Sequence, residues 1–432
     1  MKEHRIKIIL FSLLFALLFL PKLQQFFPVF KFDPLNGEFI PAEKQKITMA
    51  GWFEGNFQKA YDKYFEENIG FRNPLIRFYN QVDFSCFRLA HGGDIVVGKE
   101  GYLFKKEYLI AHAGKDYIGE KEIDQRIERL KYVTAQLAVK GVHVIVIFAP
   151  TKADFYSEYI PSYYSANDTT PTNYDSYRKK LWGNGINFID FNDYFLKLKK
   201  NSLYPLFPKQ GIHWSQYGMY LASDSLVKYI REKTNLDLNE LHVDSINVSY
   251  DLKSTDYDLG NLCNVLADMK HVAMPYPVLR FENNPTKKRP NVLTIGDSFY
   301  WNIYYSGILQ HIFNGANFWY YNHDVYADSI PGKGVVDPDD FMFEVEQQQV
   351  VVLLQTESNL NNVGLGFIDN AYAMLQNHVT DDPVAKMEYS IRTNLEWFAS
   401  IKKKAAEKNI PLDEMVRSDA EWMVEKERAK KN

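Results

Sequence analysis

Two short stretches of this chain hold residue types that could make and break an acyl bond. In Val292-Leu293-Thr294-Ile295-Gly296-Asp297-Ser298-Phe299 an apolar run breaks at a glycine, and a serine follows two residues later. Gly296 permits a tight backbone path, and a helix starting just past Ser298 would aim its N–H groups and dipole at the hydroxyl. Such a turn presents Oγ as a nucleophile and a backbone amide to the oxyanion formed on an attacked carbonyl. The plainer alternative is an ordinary strand-to-helix turn in which Asp297 or Ser298 serves as N-cap.

A serine nucleophile needs a base. His213 lies in Lys209-Gln210-Gly211-Ile212-His213-Trp214-Ser215-Gln216-Tyr217-Gly218, a loop leading into the helical stretch Tyr217 to Ile230. A histidine so placed can act as general base and then as general acid. The alternative is a histidine bonded within a loop cap, with Trp214 packing beside it. His143 falls inside a strand-like run, and His271, His311 and His323 have no comparable context.

The elements that must position these residues show in the apolar periodicity. Glu120 to Lys140 has helical spacing, and Val142 to Phe148 is a β-branched run ending at Ala149-Pro150. Tyr174 to Trp182 leads likewise into Ile186 to Asp190, and Asn291 to Ile295 and Val350 to Leu354 read as further strands. Strands apolar on both faces, alternating with helices, predict an α/β fold with a largely parallel, covered sheet. A site in such a fold lies at the carboxyl ends of the strands. By that rule Lys152, Asp190, Thr356 and Glu357 all reach the same rim. Lys152 could touch substrate, although most lysines are simply solvated. Thr356 or Glu357 could position substrate or the serine turn. Tyr300-Trp301, Tyr304-Tyr305 and Trp319-Tyr320-Tyr321 would suit stacking on sugar rings, but their spacing also fits a core.

Composition narrows the function classes. The chain has 432 residues, 46% of them hydrophobic, which fits one dominant α/β unit of ~250 residues with appended elements. A formal net charge of −4 over mixed signs leaves no basic face for a phosphate backbone, which excludes nucleic acid as the expected partner. Cys86 and Cys263 have no second Cys or His at metal-ligand spacing, so no metal site or cofactor is expected; one long-range disulfide and two free thiols both stay open. Lys2, Arg5 and Lys7 precede the apolar run Ile8 to Leu20, with no small-residue cleavage site after it. That pattern predicts an uncleaved signal anchor in the cytoplasmic membrane, with the body extracytoplasmic, and a cleaved signal peptide as the second reading.

Five blocks together resemble a known family. They are Gly98-Lys99-Glu100-Gly101-Tyr102-Leu103-Phe104; Val144 to Pro150 with Lys152, Tyr156 and Pro161; Gly211-Ile212-His213-Trp214; Gly296-Asp297-Ser298-Phe299; and Val351 to Leu354 with Glu357. In this order, over roughly residues 50 to 370, the chain resembles the SGNH hydrolase-like family of alginate O-acetyltransferases, the AlgJ/AlgX type. The resemblance implies a three-layer α/β/α domain in which Ser298 forms an acetyl-serine and His213 is the base. It further implies a periplasmic polysaccharide as acceptor and a multi-pass membrane acyltransferase as acetyl donor. Trp214 and Asp297, beside the catalytic pair, are candidates for orienting it or for binding substrate. Where the family has its triad aspartate, two residues before the histidine, this chain has Gly211. Loss of that carboxylate is worth ~10⁴ in rate in a serine protease, so another group such as Asp190 must orient the imidazole, or the site is inactive. An esterase and a catalytically degenerate glycan-binding or assembly protein are the competing functions.

The expected organisation is a signal anchor over 1–30, a spacer over 31–51, a helical and hairpin lead-in over 52–119, the catalytic domain over 120–375 and a helical tail over 376–432. Within the lead-in, two amphipathic helices flank the turn Gly70 to Pro74, and a hairpin around Gly98 to Gly101 is expected to cover the edge of the main sheet.

Overall fold

The computed structural model describes residues 2–37, 42–164, 170–329, 332–376, 383–393 and 395–431. Its strands in chain order are β1 (Ile95–Val97), β2 (Leu103–Lys105), β3 (His143–Phe148), β4 (Asn187–Asp190), β5 (Leu241–Ser249), β6 (Met274–Phe281), β7 (Val292–Gly296), β8 (Asn317–Tyr320), β9 (Asp324–Ala327), β10 (Gly334–Val335) and β11 (Val350–Gln355). Seven of them form the main sheet in the order β10-β9-β8-β7-β11-β3-β4. From β8 to β4 every pairing is parallel, and β9 and β10 close one side antiparallel.

The β-branched runs form central strands because both of their faces are covered. Ile145, Ile147, Val350, Val352 and Leu354 pack under helices Phe191–Leu198, Gln216–Thr234 and Tyr300–Tyr304. Val144, Val146, Phe148, Val351 and Leu353 pack on the other side against Glu120–Val139, Asn173–Leu181 and Phe367–Leu375. Burial of each such side chain contributes about 1.5–3 kcal/mol before its conformational entropy is subtracted. The result is a three-layer α/β/α sandwich, and β3, β4, β7 and β11 point their carboxyl ends to one rim.

Two peripheral expectations gain detail. The β1–β2 hairpin does not join the main sheet: beyond its own pairing it bridges to Leu89 through Val96, Phe104 packs into the core on one face of the sheet, and Leu103 N–H donates to Lys209 O at 3.1 Å, so it backs the histidine loop. Nor do residues 33–36 hang free as a spacer. Arg77 donates to Asp33 O and Pro34 O, Asn73 donates to Asp33 O, and Asn36 exchanges hydrogen bonds with Asn264. The extended chain leaves its carbonyls open, and helix Arg72–Val82 supplies the donors. Residues 38–41 of the same expected spacer lie outside the described residues.

His4–Phe26 contains an 18-residue stretch of mean hydropathy 2.2, none of it buried, and is long and apolar enough to cross a membrane. At the opposite end, helices Pro383–Thr393, Leu395–Lys408 and Leu412–Lys431 share a small core around Ile391, Phe398, Ile401 and Val416. They dock on the body: Arg392 pairs with Asp369 at 3.4 Å, and Arg129 of the body reaches Asp413 at 3.3 Å. Burial alone would raise the Asp413 carboxyl, but Arg392, Arg126 and Arg129 hold it down at about 2.

Candidate active site

Ser298 stands one residue past Asp297, at the carboxyl end of β7. The turn is fixed by Asp297, which is buried and fully satisfied. Its Oδ1 accepts from Phe299 N–H at 3.0 Å. Its Oδ2 accepts from Thr356 N–H and Thr356 Oγ1, both at 2.7 Å, and from Asn359 Nδ2 at 2.9 Å. Thr356, which follows β11, thus locks the serine turn of neighbouring β7. The helix expected after Ser298 is a single turn, Tyr300–Tyr304, uncapped by any side chain. Gly307, at φ +87°, redirects the chain, so little macrodipole is aimed at the serine.

His213 meets this turn from the far side of the rim. Its Nε2 lies 3.0 Å from Ser298 Oγ, and its Nδ1 lies 3.1 Å from Asp258 Oδ2. The other Asp258 oxygen accepts from Ile212 N–H at 2.9 Å, so one carboxylate grips both the imidazole and the loop that carries it. Hydroxyl, imidazole and carboxylate form a chain of two hydrogen bonds. In that chain the carboxylate holds Nδ1–H, leaving Nε2 free to take the serine proton.

Asp258 was not legible at the family's position because it comes from a different segment. It opens helix Asp258–Leu262, between β5 and β6. Gly211 explains the exchange. A Cβ on Gly211 would sit 2.3 Å from Thr255 O, 2.6 Å from Pro208 Cγ and 3.0 Å from the Asp256 carbonyl carbon. No aspartate fits at 211 while segment 255–258 runs there, and that segment brings its own aspartate.

The remaining sequence candidates separate. Asp190 does not orient His213; its carboxylate caps helix Phe191–Leu198 through Asp193 N–H and accepts from Arg178 and Tyr174. Strand-end aspartates are commonly engaged in this way. Lys152 is buried rather than solvated. Its ammonium donates to Lys209 O at 2.7 Å and Gly211 O at 2.8 Å, and burial, opposed in part by Asp258, pushes it down to about 7. It holds the histidine loop from behind. Trp214 is wholly buried among Phe191, Phe195 and Phe299, where no glycan can reach it. Glu357 turns away from Ser298 toward Asp154, which with Asp116 adds to burial in raising its carboxyl well above the usual range. Tyr300 and Trp319 are core, whereas Tyr321 reaches the pocket.

That pocket has a volume of about 260 Å³ and is lined by Ser298, His213, Asp258, Tyr108, Tyr321 and Asn359, with Lys105 and Glu107 among its charged groups. Asn359 and Tyr108 had no sequence signal beyond lying near Thr356 and the Gly98 block. Cys86 and Cys263 are free thiols.

Residues 95–305, from β1 to just past the serine turn, match the family described as "SGNH hydrolase-like domain, acetyltransferase AlgX". Over that stretch the chain resembles an SGNH hydrolase-like domain of the AlgX type. The match contains Lys152, Gly211, His213, Asp258 and Ser298 and ends before β8. Among solved structures the chain is similar to the O-acetyltransferase domain of Pseudomonas putida AlgJ, at 15% identity over 66% of this chain and 100% of that one, with a TM-score of 0.40. It is similar to Bacillus cereus PatB1 at 14% identity over 63% of this chain and 99% of that one, TM-score 0.40. It is also similar to Pseudomonas aeruginosa AlgX at 13% identity over 64% of this chain and 67% of that one, TM-score 0.39. No curated protein matches the sequence.

Proposed function

We propose that this SGNH hydrolase-like domain is an O-acetyltransferase that moves an acetyl group onto a hydroxyl of an extracytoplasmic polysaccharide through an acetyl-serine. The observation that carries the reading is the Ser298–His213–Asp258 chain, with its 3.0 and 3.1 Å contacts at the rim of the sheet. In the first half-reaction Ser298 Oγ attacks the acetyl carbonyl as its proton passes to His213 Nε2. The imidazolium, stabilised by Asp258, then protonates the departing oxygen of the donor. In the second, a sugar hydroxyl gives its proton to His213 and attacks the acetyl-serine, and the returning proton restores Ser298. Donor and acceptor share one pocket in turn, which is ping-pong chemistry.

The family resemblance supports a polysaccharide acceptor, and the apolar N-terminal helix supports membrane attachment with the body outside. On this reading a multi-pass membrane acyltransferase supplies the acetyl group. An esterase differs only in that water replaces the sugar hydroxyl. The degenerate binding protein was motivated by Gly211, and Asp258 at Nδ1 removes that motive.

The test is intact mass of the full chain in detergent after exposure to an activated acetyl ester. One acetyl adduct is expected on the native chain and none on Ser298→Ala. Discharge of the adduct by added glycan faster than by water assigns the transferase; equal discharge assigns the esterase. An adduct that survives Ser298→Ala would sink both.

A further inference from the structure

Behind the serine turn lies a second cluster with donor atoms of the metal-ligating kinds. His112 ends helix Lys106–His112, Asp154 lies in helix Lys152–Phe155, and Glu357 follows β11. One ligand atom from each lies within 4.8 Å of the others. His112 Nδ1 is 2.5 Å from Asp154 Oδ1, and Asp154 Oδ2 is held at 2.5 Å by Asn192 Nδ2. Glu357 is 4% exposed, and among the described residues no hydrogen-bond donor reaches its Oε2. Its electrostatic neighbours are further carboxylates, Asp154, Asp116 and Asp175. A buried acidic oxygen aimed at a second carboxylate, without a donor, is costly unless positive charge or a proton fills the gap.

We propose that His112, Asp154 and Glu357 bind one divalent cation of the zinc type. One imidazole nitrogen and two carboxylate oxygens are a donor set suited to zinc, and His112 is partly exposed, which leaves solvent access for a fourth ligand. The Asn192 amide on the distal Asp154 oxygen is the kind of outer contact that orients a ligating carboxylate. Zinc–ligand bonds near 2.0–2.2 Å put neighbouring ligand atoms about 3.4 Å apart. Binding therefore opens the His112–Asp154 contact by about 1 Å, a movement that a side chain at a helix end can make. The cation would tie together three elements that brace the active site: the helix carrying Tyr108, the turn carrying Lys152 and the strand end carrying Thr356. The sequence showed no such site, because its ligands are separated by 42 and 203 residues (154 − 112; 357 − 154).

The test is zinc content and thermal melting of the full chain in detergent, stripped with a chelator and returned to excess Zn²⁺, then desalted. About one zinc per chain and a Tm raised by about 3 °C or more are expected, since a ligand bound only by the folded state stabilises it. Glu357→Gln, close in shape, and His112→Gln, at the accessible side, should each lower zinc affinity at least about tenfold. Asp258→Asn should bind zinc normally, which separates this site from the acyl-transfer reading. Native chain without retained zinc or Tm change, or equal retention by both ligand variants, overturns the proposal. If Glu357→Gln does not fold, His112→Gln alone decides it.

Discussion

The nucleophile and the acid that orients its base are held in different ways. Ser298 sits on the sheet: β7 is covered on both faces, and Asp297 fastens the turn to β11 with three bonds to Thr356 and Asn359. Asp258 sits on an excursion between two strands that belong to a separate ribbon, β5–β6. The excursion is fastened by Gln210 O accepting from Gly260 N–H, by Asn302 donating to Thr255 and by Asn80 donating to Cys263 O. One half of the site is set by the core, and the other by contacts among loops and the lead-in helices. The acid can therefore change its address in the chain while the serine cannot.

The largest effect that would break or sharpen this contrast is on Asp258. Asp258→Asn should lower kcat by about 10³–10⁴ while leaving the fold intact, because the imidazole loses its tautomer control and counter-charge. Asp190→Asn should leave kcat within about twofold and lower Tm instead, since it loses a cap and the Arg178 contact. Equal kcat losses in both, measured as acetyl turnover, would remove Asp258 from its assigned place.

Gly211→Asp comes next. An aspartate here would push segment 255–256 away from the histidine loop, costing about 2–4 kcal/mol by denaturant melting, and should not rescue Asp258→Asn. Rescue would mean that segment 255–258 can leave. A smaller effect belongs to Lys152→Met, which leaves Gly211 O without its lysine donor and Lys209 O with Leu103 N–H alone. It should cost about 1–3 kcal/mol of stability and reduce kcat more than it changes KM, because the histidine loop loosens.

The smallest effect is a pH dependence. Asp256 is buried, and burial first and Asp258 second, opposed by a hydrogen bond from Tyr276, push its carboxyl up to about 7. The folded state therefore binds a proton more tightly than the unfolded chain, and stability falls as pH rises from about 4 through about 7. Asp256→Asn should raise Tm at pH 8 by a degree or two and have no effect near pH 4. A Tm gain that is the same at both pH values would show that Asp256 does not titrate in this window.

The same division explains what was legible in the sequence. β3, β7 and β11 announce themselves as β-branched runs because a strand covered on both faces can use nothing else, and the serine turn follows from where one of them ends. β5 and β6 do not. They alternate irregularly, and Pro275 and Pro277 argue against a strand; the ribbon tolerates them because β6 pairs on one side only. Asp258 lies inside that unreadable stretch, one acid among Asp251, Asp256 and Asp268, and only folding singles it out. Asp190 looked eligible because it ends a strand, but its partners Arg178 and Tyr174 had already claimed it.

The bonds between Asn36, Asn261 and Asn264 define a path for mechanical load. A pull on the N-terminal helix is not delivered first to the sheet. It travels along residues 33–36 and, through Asn80, along helix Arg72–Val82, and both routes arrive at residues 261–264, just beyond Asp258. Strain applied through the N-terminal end is thus felt by the acid of the site before it is felt by the serine.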